Sequence, residues 1–297
     1  MSPPASPIER REPVGTPVPL VLSSPHSGAY YPRDFVEASP LELAALRKSE
    51  DCYVDELFGD GPDHGAPLLR ALYPRAYVDV NREPYELDPD MFEQPLPAFV
   101  NTTSARVAAG LGTIARIVGN RREIYRGKLS FAEAERRITG VHKPYHQALR
   151  ALVARARQQF GFCILLDCHS MPSSGLPMDP DGDGRAVDIV LGDRNRASCH
   201  GALPDAVHSY LSAAGYNVIR NNPYAGGYTT HHYGDPAGGI HALQIEINRA
   251  IYMDETTLQR RPGFAQLRND LSRLIRHIIA FGAECALDLQ YQRLSAE

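Results

Sequence analysis

The chain has 297 residues, with 31 Lys and Arg against 35 Asp and Glu, a formal net charge of -4 and 43% apolar residues, an ordinary globular composition. The two charge signs are mixed and form no basic stripe, so a nucleic-acid partner is not expected; no stretch approaches the ~18 apolar residues of a membrane-spanning helix. The five cysteines are odd in number and show no CxxC spacing, which argues against a disulfide framework and against a four-thiolate zinc site.

Residues 1–16, rich in Pro, Ser and charge, read as a loose arm, and residues 17–297 as a single domain. The apolar run Val18 to Leu22 is too short for a signal-peptide core, so a reducing cytoplasm is the expected location. Val18 to Ser24 is a short strand that ends in the loop SPHSG. Pro40 to Phe58 carries apolar residues at helical spacing, with Ser39 as its cap. Ala76 to Val80 predicts a second strand running into NREP, and Leu87 to Thr113 is irregular. Phe131 to Phe160 is helical with a kink or break at Pro144.

Further strands are predicted at Cys163 to Leu166, Val187 to Gly192, Asn217 to Arg220 and Leu243 to Ile247. A helix spans Leu203 to Ala214, PYAGGYTTHHYG is a glycine-rich loop, and a long amphipathic helix runs from Asp254 to Leu289. Strands alternating with helices imply an α/β domain with helices on both faces of one sheet. The stretch from Asp179 to Gly184 has the opening spacing of an EF-hand loop. Val190 stands where the bidentate Glu is needed, so the stretch reads as an exposed turn.

Polar clusters fall at the ends of apolar strands: His26, Asp79 with Asn81 and Arg82, Asp167 with His169, and Glu246 with Asn248 and Arg249. In open α/β sheets ligands bind at the carboxyl ends of strands, and buried polar groups need partners or a metal. Strand alternation puts Asp167 and His169 on one face and Cys168 on the other. A carboxylate beside a histidine fixes its tautomer and strengthens it as a ligand. Two histidines and a carboxylate leave zinc one open position for water, the catalytic arrangement. The nearest acidic cluster to His26 is Glu50, Asp51 and Asp55 in SEDCYVDELF, with Asp51 the first choice for the carboxylate and Glu50 the second. Glu246, set between two isoleucines, should have a raised pKa, which suits a general base. Arg82 and Asn81 suit a substrate carboxylate.

Each residue also has a plainer reading. His26 could be a turn histidine, His169 a satisfied core histidine, Asp51 part of a solvated helix face, and Glu246 a structural partner of Arg249 or Arg82. A cysteine or serine hydrolase built on Cys168 or Ser170 is disfavoured, because neighbouring strand residues point apart and no GxSxG elbow occurs. A binding protein without catalysis would use the same pocket.

Taken together and in order, SPHSG, SEDCYVDELF, VDVNREP, IYRGKLS, LLDCHSMP, DIVLGDRN, PYAGGYTTHHYG and LQIEINRAIYMDE resemble the N-formylglutamate amidohydrolase (deformylase) family, from about Val18 to Met253. That family is similar to the zinc carboxypeptidases and aspartoacylase. The resemblance implies a three-layer αβα sandwich with a mixed, mostly parallel sheet, and hydrolysis of a small N-acyl amino acid. It also implies one zinc ion held by His26, His169 and a carboxylate, with Glu246 as general base and Asn81 and Arg82 receiving the substrate carboxylate. Asp51 is assigned as the third ligand by inference, since the compact carboxypeptidase spacing is absent. Tyr228, Thr229 and His232 belong to a loop that could close over substrate. His231 stands where relatives are expected to carry an arginine, and Arg126 in IYRGKLS is a candidate replacement contact for an anion.

Overall fold

The computed structural model describes residues 4–174 and 186–286. The DPDGDG turn and Leu289 lie outside those residues. The strands are β1 (Ile8–Arg11), β2 (Leu20–Ser24), β3 (Leu68–Ala71), β4 (Ile117–Val118), β5 (Arg122–Glu123), β6 (Cys163–Met171), β7 (Ile189–Gly192), β8 (Val218–Arg220) and β9 (Ile240–Asn248). The helices are α1 (Arg33–Ala38), α2 (Leu43–Leu46), α3 (Val54–Leu57), α4 (Ala105–Ala108), α5 (Phe131–Arg137), α6 (Lys143–Phe160), α7 (Ala202–Ala213), α8 (Tyr228–Tyr233) and α9 (Gly263–Glu284).

Seven strands form one sheet in the order β1-β3-β2-β6-β9-β7-β8, and β4 and β5 form a small antiparallel pair. β2 pairs parallel with β6, β6 with β9 and β7 with β8, while β7 meets β9 antiparallel. This is the mixed, mostly parallel α/β architecture expected. Every residue of β6 is buried, as in a strand covered on both faces, which is why it reads as an apolar run.

The chain falls into two compact units. One comprises Met1–Glu9, Pro25–Cys52 and Arg70–Ala148; the other comprises Arg10–Ser24, Tyr53–Leu69 and Leu149–Glu297. Inside the first, Arg137 lies 4.3 Å from the centroid of the Tyr77 ring and also faces Phe35 and Tyr125. Inside the second, α9 packs against α7 and α3, burying Leu267, Leu271, Leu274 and Ile278 at helical spacing. Leu165, in the first half of β6, is 0% exposed. Leu165→Ala should destabilise the fold by about 2–5 kcal/mol, read from the shift of a denaturant midpoint.

Several elements differ from the sequence reading. Ile8–Arg11, expected in a loose arm, forms the edge strand β1, held in part by Arg70 Nε on Glu9 at 3.0 Å. Pro40 to Phe58 is not one helix. α2 gives way to a 3-10 turn, and the chain is extended at Glu50 before Tyr53 takes a left-handed conformation at φ 67. Ser39 does not cap α2, whose N-cap is Glu42; its hydroxyl accepts from the Leu41 amide at 3.1 Å in the turn before that helix. Ala76 to Val80 is not a strand; its backbone groups find turn and side-chain partners instead of a ladder. β3 escaped notice because LLRA is short and does not alternate.

The helical region 131–160 contains a π-turn at Ile138–His142 immediately before Pro144. Proline has no N–H and its ring crowds the carbonyl four residues back, so a widened turn accommodates it. PYAGGYTTHHYG contains α8. The turn into it needs glycine, since Gly226 sits at φ +128 and a Cβ there would lie 2.5 Å from Thr230 Oγ1. α9 starts late because Asp254 accepts from the amides of Thr256 and Thr257, which makes a turn of that segment.

Candidate active site and possible metal centre

His26 sits in the turn just beyond β2 and is buried. The chain is tight here: a Cβ on Gly28 would lie 2.2 Å from the Tyr73 carbonyl oxygen. Nε2 of His26 is 2.6 Å from Asp79 Oδ1. A carboxylate accepts, so Nε2 carries the hydrogen and Nδ1 faces the other way. Asp79 is also reached by Arg75 Nη2 at 2.7 Å and by the Asn81 amide at 2.9 Å. Burial raises its pKa most, but Arg75, His26 and Arg82 outweigh it and hold the carboxyl well below the usual range.

Nδ1 of His26 stands 3.5 Å from Asp51 Oδ2, beyond the usual N···O hydrogen-bond range of about 2.7–3.2 Å. A ring lone pair facing a buried carboxylate is repulsive unless a proton or cation lies between them. Asp51 is placed by its own backbone, whose amide donates to the His26 carbonyl at 3.0 Å. Glu50, the other candidate, is engaged elsewhere. Arg47 reaches both its oxygens at 3.0 Å, Tyr31 Oη donates at 3.2 Å, and the Cys52 thiol donates at 3.2 Å. Burial, then the Glu50 charge, push the Tyr31 hydroxyl well above its ordinary pKa, so it stays a donor.

His169 lies near the carboxyl end of β6 with Asp167 on the same face, as the alternation required; Nε2 is 3.0 Å from Asp167 Oδ2. Ser23 Oγ on β2 donates to the other oxygen of Asp167 at 3.1 Å. His26, Asp51 and His169 each offer a ligand atom, and these atoms all lie within 4.8 Å of one another in buried surroundings. Two imidazoles with a carboxylate are a donor set suited to a divalent metal. Both histidines present Nε2 to a carboxylate, the second contact that orients metal-bound imidazoles. The residues therefore fit a metal ion.

Glu246 on β9 is the register partner of His169, so the two side chains share a face of the sheet at neighbouring positions. Glu246 is buried, and Gln244 Nε2 donates to its Oε1 at 2.6 Å. Gln244 in turn accepts the Gly227 amide at 2.6 Å, tying the start of α8 to the carboxylate. Nothing in the sequence pattern marked Gln244 beyond its place two residues before Glu246. Arg249 is turned to Ser170, its Nε donating to Oγ at 3.1 Å.

Asn81 and Arg82 follow Asp79. Arg82 Nε donates to the Leu111 carbonyl and Nη1 to the Asn81 carbonyl, each at 2.9 Å. Burial is the main influence lowering the Arg82 pKa to about 10, with Asp79 opposing and Arg75 adding to the fall; the guanidinium stays charged at neutral pH.

Of the other candidate residues, Tyr228, Thr229, His231 and His232 lie on α8, which packs against β9. Thr229 is buried, His231 and His232 are exposed, and the Tyr228 and His232 rings stack at 5.0 Å. Arg126 is exposed and lines a cavity of about 190 Å³ with Asp90, Arg116, Tyr125 and Lys128, residues outside the His–Asp–His group. Cys168 is buried on the opposite face, and burial, then Asp167, hold its thiol well above the ordinary pKa. A protonated thiol is a poor nucleophile.

A mixed sheet with a buried imidazole–carboxylate–imidazole group at its strand ends, and a glutamate alongside, defines an α/β protein built around a site that could bind a metal. Residues 18–253 match the model of the N-formylglutamate amidohydrolase family, and the chain belongs to that family. It is 33% identical over 281 residues to the N-formylglutamate deformylase of Pseudomonas putida, covering 93% of this chain and 96% of the relative. It is 31% identical over 272 residues to the deformylase of the same name from Pseudomonas aeruginosa, covering 90% and 95%. The crystal structure of N-formylglutamate amidohydrolase from Ralstonia eutropha superposes with a TM-score of 0.87 at 38% identity, over 94% of this chain and 99% of that one. A gene product of Agrobacterium tumefaciens, at 18% identity and a TM-score of 0.64, covers 93% and 96% and shares the fold. Among the described residues no helix is long and apolar enough to cross a membrane.

Proposed function

We propose that this protein is a zinc-dependent amidohydrolase that cleaves N-formyl-L-glutamate, or a closely related N-acyl amino acid, to the free amino acid and formate or the corresponding carboxylate. The observation that carries the reading is the buried His26–Asp51–His169 group with Glu246 as the register partner of His169. Family membership and two relatives named for this activity support the substrate.

His26, Asp51 and His169 would hold the ion, with the carboxylates of Asp79 and Asp167 fixing the imidazoles. A zinc ion bound there supplies Lewis acidity to the amide carbonyl and to water. Glu246 accepts the proton of the attacking water and returns it to the leaving amine nitrogen. Gln244 holds one carboxylate oxygen of Glu246 and so fixes the orientation of the group that handles that proton. Arg82 and Asn81 take the substrate carboxylate and align the scissile amide. Tyr228, Thr229, His231 and His232 on α8 make further substrate contacts, and Arg126 is a second anion contact.

The test is turnover of N-formyl-L-glutamate and a panel of N-acyl amino acids, before and after removal of metal with a chelator. The expected outcome is turnover lost on chelation and regained with zinc; full turnover by metal-free protein overturns the mechanism. Arg82→Ala should raise KM about 10- to 100-fold, the weight of a charge-assisted hydrogen bond, with a smaller change in kcat. Asp79 keeps Arg75 and His26 in that variant, so folding should survive. Initial-rate kinetics over a range of substrate concentration check it.

A further inference from the structure

The segment that carries Asn81 and Arg82 is not part of the sheet, yet Val80 and Asn81 are buried and Arg82 is mostly so. Buried carbonyls need donors, and here they come from one helical region. His146 Nε2 lies 2.7 Å from the Val80 carbonyl oxygen, and His142 Nε2 lies 2.8 Å from the Arg82 carbonyl oxygen. Arg137 Nη1 donates to the Tyr77 carbonyl at 3.1 Å. A carbonyl only accepts, so both rings carry their hydrogen on Nε2 in these contacts. The two rings are buried and lie 4.4 Å apart, each restricting the other's rotation.

Arg137, His142 and His146 reach the same segment because of the π-turn between them. In an α-helix, residues five apart point in different directions, whereas the i to i+5 repeat of a π-turn returns them to one side. The Lys143 amide donates to the Ile138 carbonyl, five residues back, which confirms the wider turn. His146 then follows His142 at the ordinary four-residue spacing.

We infer that His142 and His146 are positioning residues that clamp the Val80–Arg82 backbone, and through it hold Arg82 and Asn81 where the carboxylate of the acyl amino acid is received. This rests on the proposed function for its substrate. Arg82 Nη1 donates to the carbonyl of Asn81, between the two clamped carbonyls, so a shift of this backbone moves the guanidinium with it. The clamp acts on substrate binding and alignment; its tie to the metal group runs through the Asn81 amide on Asp79, a carboxylate that Arg75 and His26 also hold.

The experiment compares His142→Ala and His146→Ala with His142→Gln and His146→Gln, whose amide nitrogen can take the place of Nε2. Four readouts are taken: kcat and KM for N-formyl-L-glutamate, binding of L-glutamate by calorimetry, zinc content, and amide hydrogen exchange of residues 79–83. The alanine variants should raise KM and weaken glutamate binding about tenfold or more, the scale of a small misplacement. Exchange at 79–83 should quicken, zinc content should be unchanged, and kcat should fall less than KM rises. The glutamine variants should recover most of the affinity. If Arg82→Ala weakens binding while folded alanine variants bind as well as wild type, the inference fails alone. Lower thermal stability with unchanged KM and unchanged exchange at 79–83 also overturns it. If wild type neither binds nor turns over any acyl amino acid, the proposed function fails and the inference falls with it.

Discussion

Glu246→Gln is expected to lower kcat by about a hundredfold to ten-thousandfold while leaving zinc content and substrate affinity close to wild type. The replacement has nearly the same shape, and an amide at this position can still meet Gln244, whose Nε2 now donates to Glu246 Oε1 at 2.6 Å. What it removes is the group proposed to take the proton from water and give it back to the amine. An effect on kcat with KM preserved is the signature of an interaction made only on the way to the transition state. The measurement is steady-state kinetics together with calorimetric titration of L-glutamate. This variant also separates an enzyme from a binding protein with the same pocket. A binder retains affinity and has no turnover to lose, so a wild type and a variant that both bind, with no acyl amino acid turned over by either, would end the catalytic reading.

His169→Ala should abolish zinc binding at stoichiometric metal and reduce activity by roughly a thousandfold or more, since two protein ligands do not make a stable catalytic zinc site. Its outer partners should matter less. Asp167→Asn and Asp79→Asn are expected to weaken metal affinity about 10- to 100-fold, because they remove the carboxylates that orient Nε2 of His169 and of His26. Removing His169 takes the imidazole away from the buried Asp167, and loss of a partner to a buried charge destabilises a fold. His169→Gln therefore accompanies the alanine variant as a control of similar bulk. Metal content by elemental analysis and a zinc titration of activity check the series. Stoichiometric zinc in folded His169→Ala, with activity intact, would remove this histidine from the ligand set.

The two outcomes test different atoms of one arrangement. The ligand series asks whether His26, Asp51 and His169 act as a unit, and Glu246→Gln asks whether the neighbouring carboxylate does the proton work. Loss of activity in the first with metal retained would point to misplacement of Glu246, because His169 and Glu246 are register partners on adjacent strands.

Local pattern alone determined the α/β class and the places of β2, β6 and β9, because buried parallel strands must be apolar and each run here is interrupted by polar residues at its carboxyl end. For the same reason His26, His169 and Glu246 are legible in the sequence, and period-two alternation by itself puts Asp167 beside His169. Tertiary structure decided what depends on residues far apart in sequence. Asp51 rather than Glu50 faces His26, because Arg47, Tyr31 and Cys52 claim Glu50. Ala76 to Val80, apolar enough for a strand, joins no ladder among the described residues and takes donors from Arg137 and His146. The histidines of the helical region had no visible role in sequence, though their four-residue spacing was there to read. An apolar run states that a segment is buried; its hydrogen-bond partners, which decide whether it is a strand, arrive only when distant parts of the chain meet.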